Sequence, residues 1–205
     1  RCIANLIAHQ GSIVLEEDGK KLGRSSIANL PQLEKITSSL TTFETILLGL
    51  TKTLSWKVSE AQLAKVSQVI RELKLDAFAN TPVRSLSGGQ KQLVFLAQSF
   101  VSEPRLLLLD EPTSALDVRH QLVVMETVHR YCKKRNAIAL YVIHDLTLAS
   151  RFSDAVLFLH NGMAHAFDTP DAVLNSETID PIYQNYSLIE KNSRGLTTMT
   201  PIKPL

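Results

Sequence analysis

Leu106 to Leu109 form an unbroken apolar run bounded by Pro104-Arg105 on one side and Asp110-Glu111-Pro112 on the other. So short a run, without polar alternation, fits a strand covered on both faces, as strands of parallel sheets are. Helical pattern flanks it, from about Gly88 to Val101 before and about Val118 to Arg135 after. Lys133, Lys134 and Arg135 suit the negative end of the second helix. Ala137 to Ile143 reads as a second buried strand, Leu146 to Phe152 as a short helix, and Ala155 to Leu159 as a third strand. Asn161-Gly162 is a hairpin signal leading into Met163–Phe167. Strands alternating with helices imply an α/β fold with a mainly parallel sheet.

The first part of the chain reads differently. Ser12 to Glu17 is expected as a short strand with a turn at Asp18-Gly19, and Ser26 to Leu30 as another, stopped by Pro31. From about Thr42 to Phe78 the pattern is helical. Phe43, Ile46, Leu47 and Leu50 make one apolar face, and Leu63, Val66, Val69, Ile70 and Leu73 another, with Ser59 as N-cap. This stretch is expected to be a compact helical insert. Composition adds exclusions. Hydrophobic residues are 44% and charged residues 20% of the chain, with net charge +2, the mix of a globular protein without the basic stripe of a nucleic-acid binder. No apolar run approaches the ~18–20 residues that span a bilayer. Cys2 and Cys132 fit no metal or redox spacing.

Four features carry chemistry. Ser87-Gly88-Gly89-Gln90 opens a helix, where glycines permit close backbone approach, unpaired N–H groups and dipole favour an anion, and Ser87 adds a hydroxyl; together they suit a phosphate. A plain N-cap with a glycine turn is the alternative. Asp110 and Glu111 close the leucine strand, at the sheet edge where α/β folds bind ligands. Asp110 can hold Mg²⁺ and Glu111 can polarise an attacking water. Ser114-Ala115-Leu116-Asp117 is, taken alone, a capped turn before a helix. His144-Asp145 ends the next strand, which makes His144 a candidate for a γ-phosphate contact. His9, His120, His129, His160 and His165 read as surface or helix-face residues.

In this order, LSGGQ, the LLLLDE strand end, SALD and the strand-terminal histidine resemble the signature motif, Walker B, D-loop and switch histidine of the ABC ATPases. Gln32 resembles the Q-loop glutamine. The resemblance runs from Arg1 to about Tyr186. It implies a RecA-like P-loop NTPase with a mainly parallel sheet, a helical subdomain inserted over residues 33–85, a partial antiparallel β subdomain and a tail over residues 187–205. It also implies ATP and Mg²⁺ as cofactors. Asp110 and Gln32 would hold the metal, and Glu111, His144 and Gln32 would act in hydrolysis. Ser87, Gly88, Gly89 and Gln90 would face the nucleotide of a second ATP-binding subunit, with Asp117 coupling the two sites.

The implied partners are that second subunit and transmembrane permease subunits, placing the chain at the cytoplasmic face of the cell membrane. The segment after Gln32 would receive a permease helix, with Leu33, Ile36, Leu40 and Phe43 as contacts; packing within the insert's own core is the alternative for each. His120-Gln121, Leu146–Asp154 and Pro170–Leu174 with Ile182-Tyr183 resemble the subfamily that serves iron–siderophore, haem and cobalamin importers. DNA-repair ATPases place a long coiled coil or zinc module between Q-loop and signature, whereas only about fifty residues separate Gln32 from Leu86. Translation factors need a second motif set. The Walker A loop, G-x-x-x-x-G-K-S/T, is not found: Gly19-Lys20 is followed by Lys21. The expectation is therefore of a domain that starts just after that loop and is inactive alone.

Overall fold

The computed structural model describes residues 3, 8, 10–31, 39–53, 58–193 and 195–204, with the backbone alone at Lys52 and Thr53. The chain divides into two compact units, Arg1–Val142 and Ile143–Leu205.

In the first unit, β1 (Glu16–Glu17) and β2 (Lys20–Lys21) pair across Asp18-Gly19. Both turn residues have positive φ, 50° and 73°, as a two-residue type I′ hairpin requires. The strand expected from Ser12 thus shrinks to its last two residues. β3 (Ile27–Leu30), β4 (Leu106–Asp110) and β5 (Ile138–Val142) form a parallel sheet in that order. Leu109 lies opposite both Leu30 and Tyr141, and Asp110 opposite Val142.

The leucines of β4 are all buried, as expected of a central strand. β5 differs from expectation. Ile138, Leu140 and Val142 are 54%, 46% and 53% exposed, while Ala139 and Tyr141 pack into the sheet's core. An uninterrupted apolar run does not reveal that only one face is covered; neighbours decide that.

The helical insert holds α1 (Thr42–Leu47), a 3-10 segment Leu48–Thr53, and α2 (Glu60–Glu72). Thr41 with Glu44 and Ser59 with Gln62 form reciprocal capping boxes, which satisfy the first N–H groups of each helix. The long helical pattern is therefore cut by capped ends. Ile46, Leu50, Val66, Ile70, Leu75, Val83 and Leu86 make the insert's core, and Val94, Ala97 and Val101 complete it.

Those last residues belong to or directly follow α3 (Gly88–Phe100), whose Leu96 and Phe100 face the sheet core instead. α3 thus serves two cores, and the insert does not close on itself at residue 85. Gly49 makes this packing possible. A Cβ there would lie 2.0 Å from the Gln98 carbonyl oxygen and 2.6 Å from Val101 Cγ1.

α4 (Val118–Arg135) covers the sheet through Val124, Val128 and Tyr131. It ends at Asn136 in the left-handed conformation, a common C-terminal stop. Tyr131 stacks on Phe100 at 4.0 Å and donates to the Pro104 carbonyl at 3.0 Å; burial raises its pKa above the ordinary phenol range.

In the second unit, α5 (Leu146–Phe152) is capped by Asp145, whose Oδ1 accepts from the Thr147 and Leu148 N–H groups. β6 (Val156–His160) and β7 (Met163–Asp168) form a hairpin over Asn161-Gly162, again with positive φ at both turn residues. β6 pairs antiparallel with β7 rather than extending an alternating parallel series. α6 (Pro170–Val173), α7 (Ser176–Tyr183), β8 (Asn185–Lys191) and β9 (Thr197–Pro204) follow. β8 and β9 pair antiparallel over seven register positions. The segment expected as a tail is thus an ordered hairpin, and a boundary at residue 187 falls inside β8. Ile189 and Met199 pack on a core of Leu146, Phe158, Val173, Leu174 and Ile179.

Candidate functional site

The start of α3 is built by its own sequence. Ser87 is the N-cap; its Oγ accepts from the Gln90 N–H at 3.3 Å, and the Gln90 side-chain oxygen accepts from the Ser87 N–H at 3.0 Å. The Gln90 carbonyl oxygen is therefore engaged within the chain, while the Ser87 hydroxyl proton remains available to donate. Ser87 and Gly88 are exposed and Gly89 is buried.

The two glycines differ. A Cβ on Gly88 would meet only Leu116 Cδ2, at an ordinary 3.7 Å. One on Gly89 would lie 2.1–2.9 Å from ring atoms of His120. Gly88 thus retains the open backbone expected of a phosphate-facing residue, whereas the missing side chain of Gly89 makes room for an imidazole.

β4 delivers Asp110, exposed at the strand end, and Glu111, half-buried, on the loop that follows. Glu111 has φ 46° and Ala115 φ 59°, left-handed conformations that are uncommon for residues with a Cβ. The Glu111 carbonyl accepts from both the N–H and the hydroxyl of Ser114, at 3.1 and 3.0 Å. These bonds and left-handed residues fold the segment after Asp110 into a turn, which leads the chain to Asp117 at the head of α4. Buried Thr113 is the loop's inner anchor; its carbonyl accepts from the Gln121 side chain at 3.4 Å.

Asp117 caps α4. Its Oδ1 accepts from the His120 N–H at 2.9 Å, and its Oδ2 lies 2.7 Å from His120 Nδ1. These contacts, the backbone bond foremost, hold the Asp117 carboxyl below the usual carboxylate range.

The structure therefore brings the SGGQ turn against the Asp110–Asp117 loop, through Leu116 beside Gly88 and through His120, which meets both Gly89 and Asp117. The sequence alone marks His120 as a surface or helix-face histidine and, within His120-Gln121, as part of a subfamily resemblance, not as a site residue. The signal was its spacing: three residues past an N-cap aspartate, one helical turn on, an imidazole can bond the capping carboxylate. Gln32 lies outside the described residues, as does His9. His144 lies in the second unit, exposed, immediately before the α5 cap Asp145. His129 and His165 are exposed; His160 is half-buried and meets His165 edge-on at 6.3 Å.

Among the described residues no cluster of three or more His, Cys, Asp or Glu is placed to hold a metal. Nucleotide-bound Mg²⁺ does not need one, because it takes one or two protein oxygens and completes its shell with phosphate and water. The single exposed carboxylate of Asp110 fits that donor set. Among the described residues no helix is long and apolar enough to cross a membrane.

The family described as "ABC transporter" matches residues 1–114. An uncharacterized ABC transporter ATP-binding protein of Methanocaldococcus jannaschii, MJ0089, is 34% identical over 98% of this chain and 81% of its own length. The achromobactin transport ATP-binding protein CbrD of Dickeya dadantii is 31% identical over 85% of this chain and 67% of its own. A hemin import ATP-binding protein HmuV of Rhodopseudomonas palustris is 36% identical, over 65% of this chain and 54% of its own.

Among solved structures, a chain of an ABC transporter described as being of metal-chelate type, in an inward-facing conformation, superposes with a TM-score of 0.80 at 25% identity. That match covers 86% of this chain and 73% of the other. The ATP-binding cassette MJ1267, in its ADP conformation, shares the fold, with a TM-score of 0.68 at 21% identity over 77% of this chain and 68% of the other. The chain belongs to the ABC transporter family, as its ATP-binding domain.

Proposed function

We propose that this domain hydrolyses ATP to power an importer of a metal chelate: an iron–siderophore, haem or cobalamin. The observation that carries the chemistry is the Asp110-Glu111 pair at the end of the central strand of the sheet, whose four leucines are buried. A rigid strand fixes where the pair begins, and the left-handed turn at Glu111 directs the chain away at once. Asp110 is the Mg²⁺ ligand, which neutralises phosphate charge when bound. Glu111 orients and polarises the attacking water. Gln32 is a second metal and water contact, and His144 contacts the γ-phosphate.

Ser87, Gly88, Gly89 and Gln90 serve the nucleotide held by a second subunit. Ser87 Oγ–H and the Gly88 N–H act as donors, and Gly89 allows the helix start to be seated. Asp117 couples the two sites. The chain acts at the cytoplasmic membrane face through permease subunits. The 205 residues contain no lysine-bearing glycine loop, so alone they hold nucleotide weakly.

The choice of cargo rests on relatives whose names refer to achromobactin transport, hemin import and cobalamin import. The deciding experiment is ATP-dependent uptake by the full-length subunit with its permease in vesicles, offered each of the three cargo classes. Uptake of one class, abolished by Glu111→Gln, supports the reading. ATP turnover that drives uptake of none of them overturns the cargo assignment, and absence of turnover overturns the ATPase assignment.

A further inference from the structure

His120 makes two contacts at once. Its Nδ1 is held 2.7 Å from Asp117 Oδ2, and its ring occupies the space a Cβ would take on Gly89. Either contact alone would be ordinary. An imidazole bonded to a capping aspartate is a local helix-start device, and a side chain over a glycine is packing. Together they make the ring a spacer of fixed thickness between the first turn of α3 and the loop that runs from Asp110 to Asp117. The hydrogen bond prevents the ring from swinging away, so the contact with Gly89 cannot relax as it would against a flexible side chain. The neighbouring Gln121 ties the other limb of the loop, through the Thr113 carbonyl.

We propose that His120 is a positioning residue. It sets the distance between the phosphate-facing start of α3 and the loop carrying Glu111 and Asp117, and thereby the geometry in which the site turns over ATP. Its catalytic consequence rests on the ATPase reading above; its structural content does not. No atom of His120 is required to touch nucleotide. A misplacement of an ångström at a reacting centre costs on the order of a hundredfold in rate, so a spacer need shift only slightly to matter.

The test uses the full-length subunit and compares His120→Ala with His120→Asn. Asparagine keeps a side-chain nitrogen able to reach Asp117 but lacks the ring over Gly89. Amide hydrogen exchange without nucleotide is read over residues 87–91, 113–121 and 124–128. The expected result is faster exchange, by roughly tenfold or more, at residues 87–91 in both variants, with the α4 interior at 124–128 unchanged. In the asparagine variant, residues 117–121 stay protected.

Gly89→Ala provides a second measurement. Alone it lowers the melting temperature. Combined with His120→Ala, it adds no further loss, because the added methyl fills the vacated space. With a catalytic role, kcat for ATP falls about ten- to a hundredfold in both His120 variants while KM changes little. If exchange rises only at 117–121, or His120→Asn matches the parent at 87–91, His120 is a cap and the proposal fails. The proposal also fails if exchange rises at 87–91 while kcat is unchanged in an active parent. A parent with no turnover, but with the exchange pattern as stated, refutes the ATPase reading and leaves the spacer standing.

Discussion

Asp117 and His120 are joined twice, once through the N–H that Asp117 caps at 2.9 Å and once through the imidazole Nδ1 at 2.7 Å. Both contacts favour the ionised carboxylate, the backbone bond most, and hold its pKa below the ordinary value. A carboxyl whose pKa is depressed on folding adds stability at pH above its unfolded value, near ~3.9. That stability is lost as pH falls through the lower folded value. Asp117→Asn preserves a good capping group but removes this titration. Parent and variant melting temperatures should therefore differ at neutral pH and converge on acidification below about pH 4. Glu44, Glu72 and Asp171 also titrate low, through bonds to Thr41, Lys134 and Lys191, so the variant keeps most of its acid sensitivity. A gap that stayed constant with pH would show that the Asp117 charge contributes nothing.

The acids at the end of β4 should separate by substitution in the full-length subunit. Glu111→Gln should leave Mg-ATP binding near parental and cut turnover by about 10²–10⁴-fold, the usual range for a general base. Asp110→Asn should weaken Mg²⁺-dependent nucleotide binding instead. Calorimetry beside a steady-state ATPase assay checks both. Equal loss of binding in the two variants would show that the roles are reversed or shared.

Phe43 and Leu40 are both expected as contacts for a permease helix or as insert core, and their packing in the structure differs. Phe43 packs against the insert's core, whereas Leu40 is 36% exposed. Phe43→Ala should behave as a core truncation, costing about 3–5 kcal/mol, which for a protein of this size is a drop of roughly 6–20 °C. Leu40→Ser should leave the melt within a few degrees and reduce co-purification with the permease. Unchanged co-purification removes Leu40 from the docking surface. Leu33 and Ile36 fall outside the described residues.

Local signals survived folding where they were self-contained. The turns at Asp18-Gly19 and Asn161-Gly162, the caps at Ser59 and Ser87 and the helix Val118–Arg135 depend on residues within one turn of each other. Their sequence was sufficient to read them. What failed depended on neighbours. β5 is apolar in sequence yet half exposed, because burial is set by what covers a face. The sequence from Ser187 on lacks periodicity, yet β8 and β9 pair as a hairpin held by α6 and the second unit's core. At the candidate site, the chemistry-bearing types were legible, but the division of labour between Gly88 and Gly89 was not. Only the position of the His120 ring reveals it.

The 205-residue chain contains no glycine loop with the lysine that holds β- and γ-phosphates. Titrated alone with Mg-ATP, it should bind only weakly, with a Kd well above the low micromolar range that corresponds to about −7 to −8 kcal/mol. Binding in that range would mean that the 205 residues suffice to hold the triphosphate, and the weak-binding expectation would be abandoned.

The hairpin of β8 and β9 is fastened to α6 by one carboxylate. Asp171 Oδ2 is 2.7 Å from Lys191 Nζ at the end of β8, and Asp171 Oδ1 accepts from Thr197 Oγ1 at 2.9 Å at the start of β9. The lysine bond is exposed, with both side chains more than half accessible, and such pairs add little. Thr197 is only 5% exposed, so its end of the bond is shielded although the Asp171 carboxylate is accessible. Thr197→Val, close in shape, should cost about 0.5–1.5 kcal/mol, the net value of one hydrogen bond. Lys191→Ala should cost less than that. Beneath them, Ile179 is fully buried in the core on which Ile189 and Met199 pack. Ile179→Ala should therefore be the most damaging of the three, at about 2–5 kcal/mol. Hydrogen exchange across residues 185–204 reads the same ranking locally, since loosening of the hairpin exposes its ladder before the first unit is affected. If Lys191→Ala loosens the hairpin more than Thr197→Val, the surface ion pair rather than the Thr197 hydroxyl holds it.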